Sequence, residues 1–148
     1  MDIKTEILSI TDWNLHSTKN NTALEEGKTK WIVKMLDDLT IIEDNRFELP
    51  IISKMIHSIV SNLGRAYVHR LKPGQCIRKH NDSKIGIAPF IKQRYQYFID
   101  IPKGVVINCE GNPKSNEVFS FNHLVDHSYY NGSNENFYMV VFDDILGN

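Results

Sequence analysis

Beyond residue 64 the chain becomes a run of short strand-like segments broken by turn residues, and nothing else in it limits the fold as tightly. Residues 65–71, 76–80, 94–101, 105–109, 117–121, 126–130 and 136–142 all read as strands. Lys72-Pro73-Gly74, Pro102-Lys103-Gly104, Gly111-Asn112-Pro113 and Asn131-Gly132-Ser133-Asn134 separate them, and Asn131-Gly132 reads as a hairpin turn. Connections this short leave no room for crossover helices, so the pattern predicts a β-sandwich or barrel and excludes alternating βαβ units. The simplest architecture is mainly β: a jelly-roll barrel with an N-terminal helix packed on one sheet.

The first 64 residues read as support for that barrel, whose core spans residues 65–145 of a single domain, 1–148. Pro50 suits a first helical turn, where its missing N–H costs nothing. Ile52, Met55, Ile56, Ile59, Val60 and Leu63 then recur at three- and four-residue spacing, which predicts an amphipathic helix over residues 49–63 stopped by Gly64. His57 falls outside the apolar set and is expected to be exposed. Ile7-Leu8-Ser9-Ile10 and Trp31-Ile32-Val33 suggest short strands, residues 17–21 a polar loop, and Glu43-Asp44-Asn45 a turn or solvated edge. Tyr95, Tyr97 and Ile99 alternate on one face and are expected to pack against the helix, with Trp13 and Trp31 also in the core.

With 148 residues, 41% hydrophobic and 24% charged, the chain can bury an ordinary core, and a net charge of -1 gives no general attraction to nucleic acid or anionic membrane. Cys76 and Cys109 are too few for a disulfide framework and are expected to be reduced and buried. The N-terminus lacks an apolar signal core, and no run approaches membrane-spanning length, so a cytoplasmic location is expected.

The chemistry centres on His80-Asn81-Asp82, 47 residues before His127. In extended backbone, residues two apart share a side, so His80 and Asp82 can project together while Asn81 points away. A histidine from a neighbouring strand would complete two imidazoles and one carboxylate on one metal face. That 2-His-1-carboxylate set leaves positions open on Fe(II) for a cosubstrate and oxygen. His123 competes with His127, but no helix is legible there and it reads as a loop residue. His69 and His16 have no partner spacing that favours them.

The stretch from Arg65 through Leu71-Lys72-Pro73-Gly74 to His80-Asn81-Asp82 resembles the aspartyl/asparaginyl β-hydroxylase-like family, which carries a similar Leu-x-Pro-Gly turn before its first metal histidine. Gln93-Arg94-Tyr95-Gln96, running on to Pro102, is similar to the family's arginine-bearing strand. Asp126-His127-Ser128-Tyr129-Tyr130-Asn131-Gly132-Ser133 and Val140-Val141-Phe142-Asp143 resemble its far-histidine segment. The resemblance covers residues 65–145, with looser echoes at 29–33 and 49–63.

It implies a double-stranded β-helix in which His80, Asp82 and His127 bind Fe(II), with 2-oxoglutarate as cosubstrate. The expected activity is hydroxylation of an amino-acid residue, such as Asp or Asn in a peptide, or of a small amino-acid-like substrate. One departure stands out. The family usually carries an arginine ten residues after the far histidine to meet the distal carboxylate of 2-oxoglutarate, and here that position is Phe137. Arg94, which resembles a second family arginine that reaches the cosubstrate, is the leading replacement, with Gln96 adding a hydrogen bond. Arg70, Lys92 and Tyr138 are fallbacks. Residues 83–89 read as a loop near the iron, either a substrate lid or a plain connection between two strands. Phe137 keeps a rival in play: a cupin-like metal- or ligand-binding module without this chemistry.

Overall fold

The computed structural model describes residues 1–15 and 26–147, so His16 and the expected loop at 17–21 lie outside the described residues. Two helices, α1 (Ile3–Leu8) and α2 (Pro50–His57), accompany the strands β1 (Asn14–Leu15), β2 (Lys28–Met35), β3 (Ile41–Asp44), β4 (Leu63–Leu71) and β5 (Cys76–His80). After a single 3-10 turn (Ala88–Phe90) come β6 (Ile91–Ile99), β7 (Val105–Asn108), β8 (Val118–Phe121), β9 (His127–Asn131) and β10 (Phe137–Ile145). The larger sheet runs β1-β2-β4-β10-β6-β8 with β3 on β2, and the smaller runs β5-β9-β7. Every named strand pairing is antiparallel. The two sheets face each other as in a jelly roll, but hydrogen bonds do not close them into a continuous barrel. No helix among the described residues is long and apolar enough to cross a membrane.

The N-terminal segment departs from expectation. Ile7 and Leu8 belong to helix α1 and not to a strand, because the Asp2 carboxylate accepts from Thr5 N at 2.8 Å and caps the first turn. Glu6, almost fully buried, then reaches 45 residues onward. Its carboxylate accepts from Ile51 N at 2.9 Å and Ile52 N at 2.8 Å, supplying α2 with the cap that Leu49 cannot provide. Helix α2 ends at His57 with Ser58 as its C-cap, six residues short of the predicted stop, and Ile59 is exposed. Gly64 lies inside β4, where a Cβ would come within 2.5 Å of Ile145 Cγ2. Its glycine serves close strand packing instead of helix termination.

Strand alternation gives the larger sheet two different faces. Ala66, Val68, Ile99, Val140 and Phe142 turn toward Ile52 and Ile56 of α2, with Tyr95 and Tyr97 packed alongside, as the alternation predicts. Leu71, Phe98, Phe137, Met139 and Val141 turn the other way and meet Ile77 and Tyr129 of the smaller sheet. Trp31 is buried and Trp13 packs on the first cluster, whereas His57 is exposed. Cys76 and Cys109 are free thiols, each half-buried and not fully buried as expected.

Candidate metal centre

The smaller sheet presents the two histidines side by side. Residues Ile77 and His80 of β5 pair with Tyr129 and His127 of β9, so three steps on one strand match two on the other. The extra residue is a β-bulge, and it turns His80 onto the same face as Ile77. Directly opposed, the His80 and His127 rings lie 4.6 Å apart between centroids. Each ring has its Nδ1 on the carbonyl oxygen two residues earlier, Arg78 O at 2.6 Å for His80 and Val125 O at 3.0 Å for His127. A carbonyl only accepts, so Nδ1 carries a proton in each ring, and the neutral form of each turns an unprotonated Nε2 into the centre. Burial holds the His127 pKa below its ordinary value, against the pull of Asp82, and so favours that neutral form.

Asp82 enters from the turn beyond β5, fixed by its backbone N–H donating to His123 O at 2.8 Å. Its Oδ1 is 3.4 Å from His80 Nε2 and its Oδ2 is 3.6 Å from His127 Nε2. One donor atom from each of the three residues lies within 4.8 Å of the others. Two neutral imidazoles and one carboxylate at this spacing fit a divalent metal of the Fe(II) class and leave coordination positions over. His123 occupies the turn before β9 and is not part of this cluster.

Behind the carboxylate stands a buried charge network. Arg94 donates through Nη1 to Asp82 Oδ2 at 2.8 Å, and through Nε and Nη2 to Asp143 at 2.6 and 2.8 Å. Arg94 is 4% exposed and Asp143 is 0% exposed, so neither charge is tolerable without the other. Burial opposes charge on Arg94, but Asp143 and then Asp82 overcome it and raise its pKa well above the usual value. Burial likewise pushes the Asp82 carboxyl up, yet His80 and Arg94 outweigh it and keep the group below its ordinary pKa. Asp82 is therefore ionised and aimed by Arg94, which is itself clamped by Asp143.

The cavity over the centre draws its walls from both sheets: Tyr67, His69, Ile77, Arg94, Gln96, Phe121, Tyr129, Met139 and Val141, beside the three candidate ligands. Gln96 Nε2 donates to Tyr129 Oη at 2.7 Å. The His69 ring bonds Thr29 Oγ1 at 2.9 Å through Nδ1 and Glu26 O at 2.8 Å through Nε2. Phe121 stands edge-on to His127 at 5.5 Å and shields it from solvent.

Of the residues singled out in the sequence, His80, Asp82, His127, Arg94 and Gln96 all come together here. Phe137 is fully buried beside Phe98 and Tyr129. Arg70 lies on the opposite face of β4, its guanidinium over the Trp13 ring at 4.8 Å, and Tyr138 stacks near the same ring. Lys92 is exposed. Residues 83–89 do form a connection beside the centre, anchored by fully buried Ile87 against Met35, Ile91 and Ile145. Sequence reasoning missed Asp143, although an acid inside the apolar run 139–145 is itself a signal of a buried partner. It also missed His69 and Tyr129, whose roles depend on strand pairing.

The sequence model of the family described as aspartyl/asparaginyl beta-hydroxylase matches residues 1–145. No curated protein matches the chain in sequence. Among solved structures, an oxidoreductase of the 2OG-Fe(II) oxygenase family from Burkholderia pseudomallei superposes with a TM-score of 0.61 at 10% identity, over 95% of this chain and 76% of that one. A predicted oxalate decarboxylase from Thermotoga maritima gives 0.46 at 14% identity, over 85% and 88%. A Cupin 2 conserved barrel domain protein from Salinispora arenicola gives 0.44 at 8% identity, over 87% of each. At such identities the first of these speaks for the jelly-roll fold alone.

Proposed function

Because this chain belongs to the aspartyl/asparaginyl β-hydroxylase family, we propose that His80, Asp82 and His127 hold Fe(II) for hydroxylation of an amino-acid residue or a small amino-acid-like substrate. The observation that carries the reading is the convergence of two Nε2 atoms and one ionised carboxylate, each with its orientation fixed by a further hydrogen bond. Bound there, Fe(II) would supply activation of dioxygen for insertion of one oxygen atom into a substrate C–H bond.

The protein's own residues do the rest. The carbonyls of Arg78 and Val125 hold the Nδ1 protons and keep both imidazoles in the ligating tautomer. Arg94 fixes the Asp82 carboxylate, and Phe121 with Ile77, Met139 and Val141 keeps water away from the centre. Leu124 and Val125 remain exposed on the turn that leads into His127, where a substrate would arrive.

For the expected cosubstrate the fit is divided. The keto-acid end of 2-oxoglutarate asks only for open metal positions. Its far carboxylate asks for a cation, and the Arg94 charge is already balanced by Asp82 and Asp143. The same saturation of Arg94 favours, as a second reading, a metal-dependent ligand-binding module without hydroxylase chemistry.

The Fe(II)-loaded protein, given dioxygen, small 2-oxo acids and a panel of Asp- or Asn-containing peptides and free amino acids, separates the two. Gain of one oxygen atom by mass in a panel member, lost in His127→Ala, is the expected result. Tight metal binding without any oxygenated product across the panel supports the binding module instead.

A further inference from the structure

The far wall of the cavity is electrically neutral, and this defines what can lie against it. Among the described residues lining the cavity, Arg94 is the one guanidinium or ammonium group. It faces two carboxylates, Asp143 with a bidentate grip and Asp82 at 2.8 Å, so its single charge is already more than offset within the protein. The other polar walls are uncharged. His69 donates from Nε2 to the Glu26 carbonyl oxygen and shares Nδ1 with the Thr29 hydroxyl, so both ring nitrogens are already engaged within the protein. The Tyr129 hydroxyl accepts from Gln96 Nε2 at 2.7 Å and donates to Gln96 Oε1 at 3.0 Å, a closed pair of neutral groups. Behind these, the tilted rings of Phe137 and Phe98 pack 5.5 Å apart and close the wall with carbon.

Building on the metal-centre reading above, we propose that the organic acid completing this site is a 2-oxo acid with an uncharged tail, and not a dicarboxylate. Its keto-acid end has the open metal positions. Its tail lies among Ile77, Met139 and Val141, with the Gln96–Tyr129 pair able to meet one neutral polar group. A second carboxylate placed there would be buried beside Asp143, with no uncommitted cation among the described lining residues to offset its lost hydration.

The test is an anaerobic titration of the Fe(II)-loaded protein with pyruvate, 2-oxobutyrate, 4-methyl-2-oxopentanoate and 2-oxoglutarate, read by the metal-to-ligand charge-transfer absorption that keto-acid chelation produces. Metal content is measured separately on the same samples. The expected result is that at least one monocarboxylic acid binds about tenfold or more tighter than 2-oxoglutarate. Phe137→Arg, which offers a cation to the far wall, should narrow or reverse that ratio. The wild-type ratio stands whether or not the variant folds. Fe(II) bound with 2-oxoglutarate preferred, or with no 2-oxo acid bound at all, overturns this inference and leaves the metal centre standing. Failure to bind Fe(II) overturns both.

Discussion

The two faces of the larger sheet are made by the same strands and obey different rules. Toward α2, β10 presents Tyr138, Val140 and Phe142 to a cluster built of Ile52, Ile56, Val68 and Ala66. Toward the cavity, the alternate residues end in Asp143, which grips Arg94 with a bidentate ion pair. The first face gains stability in proportion to buried apolar area and needs no particular partner. The second holds charges that are costly to bury and tolerable only while every partner is in place. A buried ion pair is weak evidence of stabilisation, so the cavity face is better understood as bought specificity of position: one orientation of Asp82, shared with two histidine nitrogens.

Neighbouring residues on one strand give the sharpest way to break that contrast. Phe142→Ala and Asp143→Ala should each cost about 3–5 kcal/mol, the first by leaving a cavity and the second by stranding the Arg94 charge. Their effects on metal should differ. Phe142→Ala is expected to leave affinity within a few-fold, whereas Asp143→Ala should lower it by roughly 10–100-fold through a loosened Asp82. Denaturant unfolding and metal titration of both variants check this, and equal losses of affinity would erase the distinction between the faces.

Smaller changes refine it. Tyr129→Phe removes the partner of a buried amide and should cost about 1–3 kcal/mol in unfolding experiments, much more than the loss of one oxygen atom from an apolar site. Glu6→Ala uncaps α2 on the other side and should cost about 0.5–2 kcal/mol while metal affinity is unchanged. A shift in affinity with Glu6→Ala would mean that the helix face also sets the site.

The smallest expected effect is one of pH on the metal-free protein. Asp82 has its folded-state pKa held below 3.8, so its contribution is present above the unfolded pKa and is lost as pH falls through the lower folded value. Urea midpoints below about pH 4 should therefore fall less steeply in Asp82→Asn than in the parent protein.

Local signals made much of this legible. Turn residues and alternation located the strands from β4 to β10 within a few residues, and β5 coincides with the predicted segment. His80, Asp82 and His127 could be read because their spacing matches a strand and its neighbour. What could not be read depends on contacts far apart in sequence. Glu6 caps a helix 45 residues away, a partner that no local pattern announces. Gly64 resembles a helix stop until β10 packs against it. The bulge that aligns His80 with His127 leaves no composition signal, and Asp143 shows only as an acid in an apolar run. Arg94 was legible as a site residue, but its carboxylate partners, which set what it can do, appear only once β6 lies beside β10 for Asp143 and the smaller sheet brings Asp82 across.

The most direct measurement is Fe(II) stoichiometry and affinity under anaerobic conditions for the parent protein and for His80→Ala, Asp82→Ala and His127→Ala, with folding verified for each. One ion per chain in the parent and loss of that ion in all three variants is the predicted result. Undiminished binding in any folded histidine variant would contradict the assignment of these side chains as the metal's ligands.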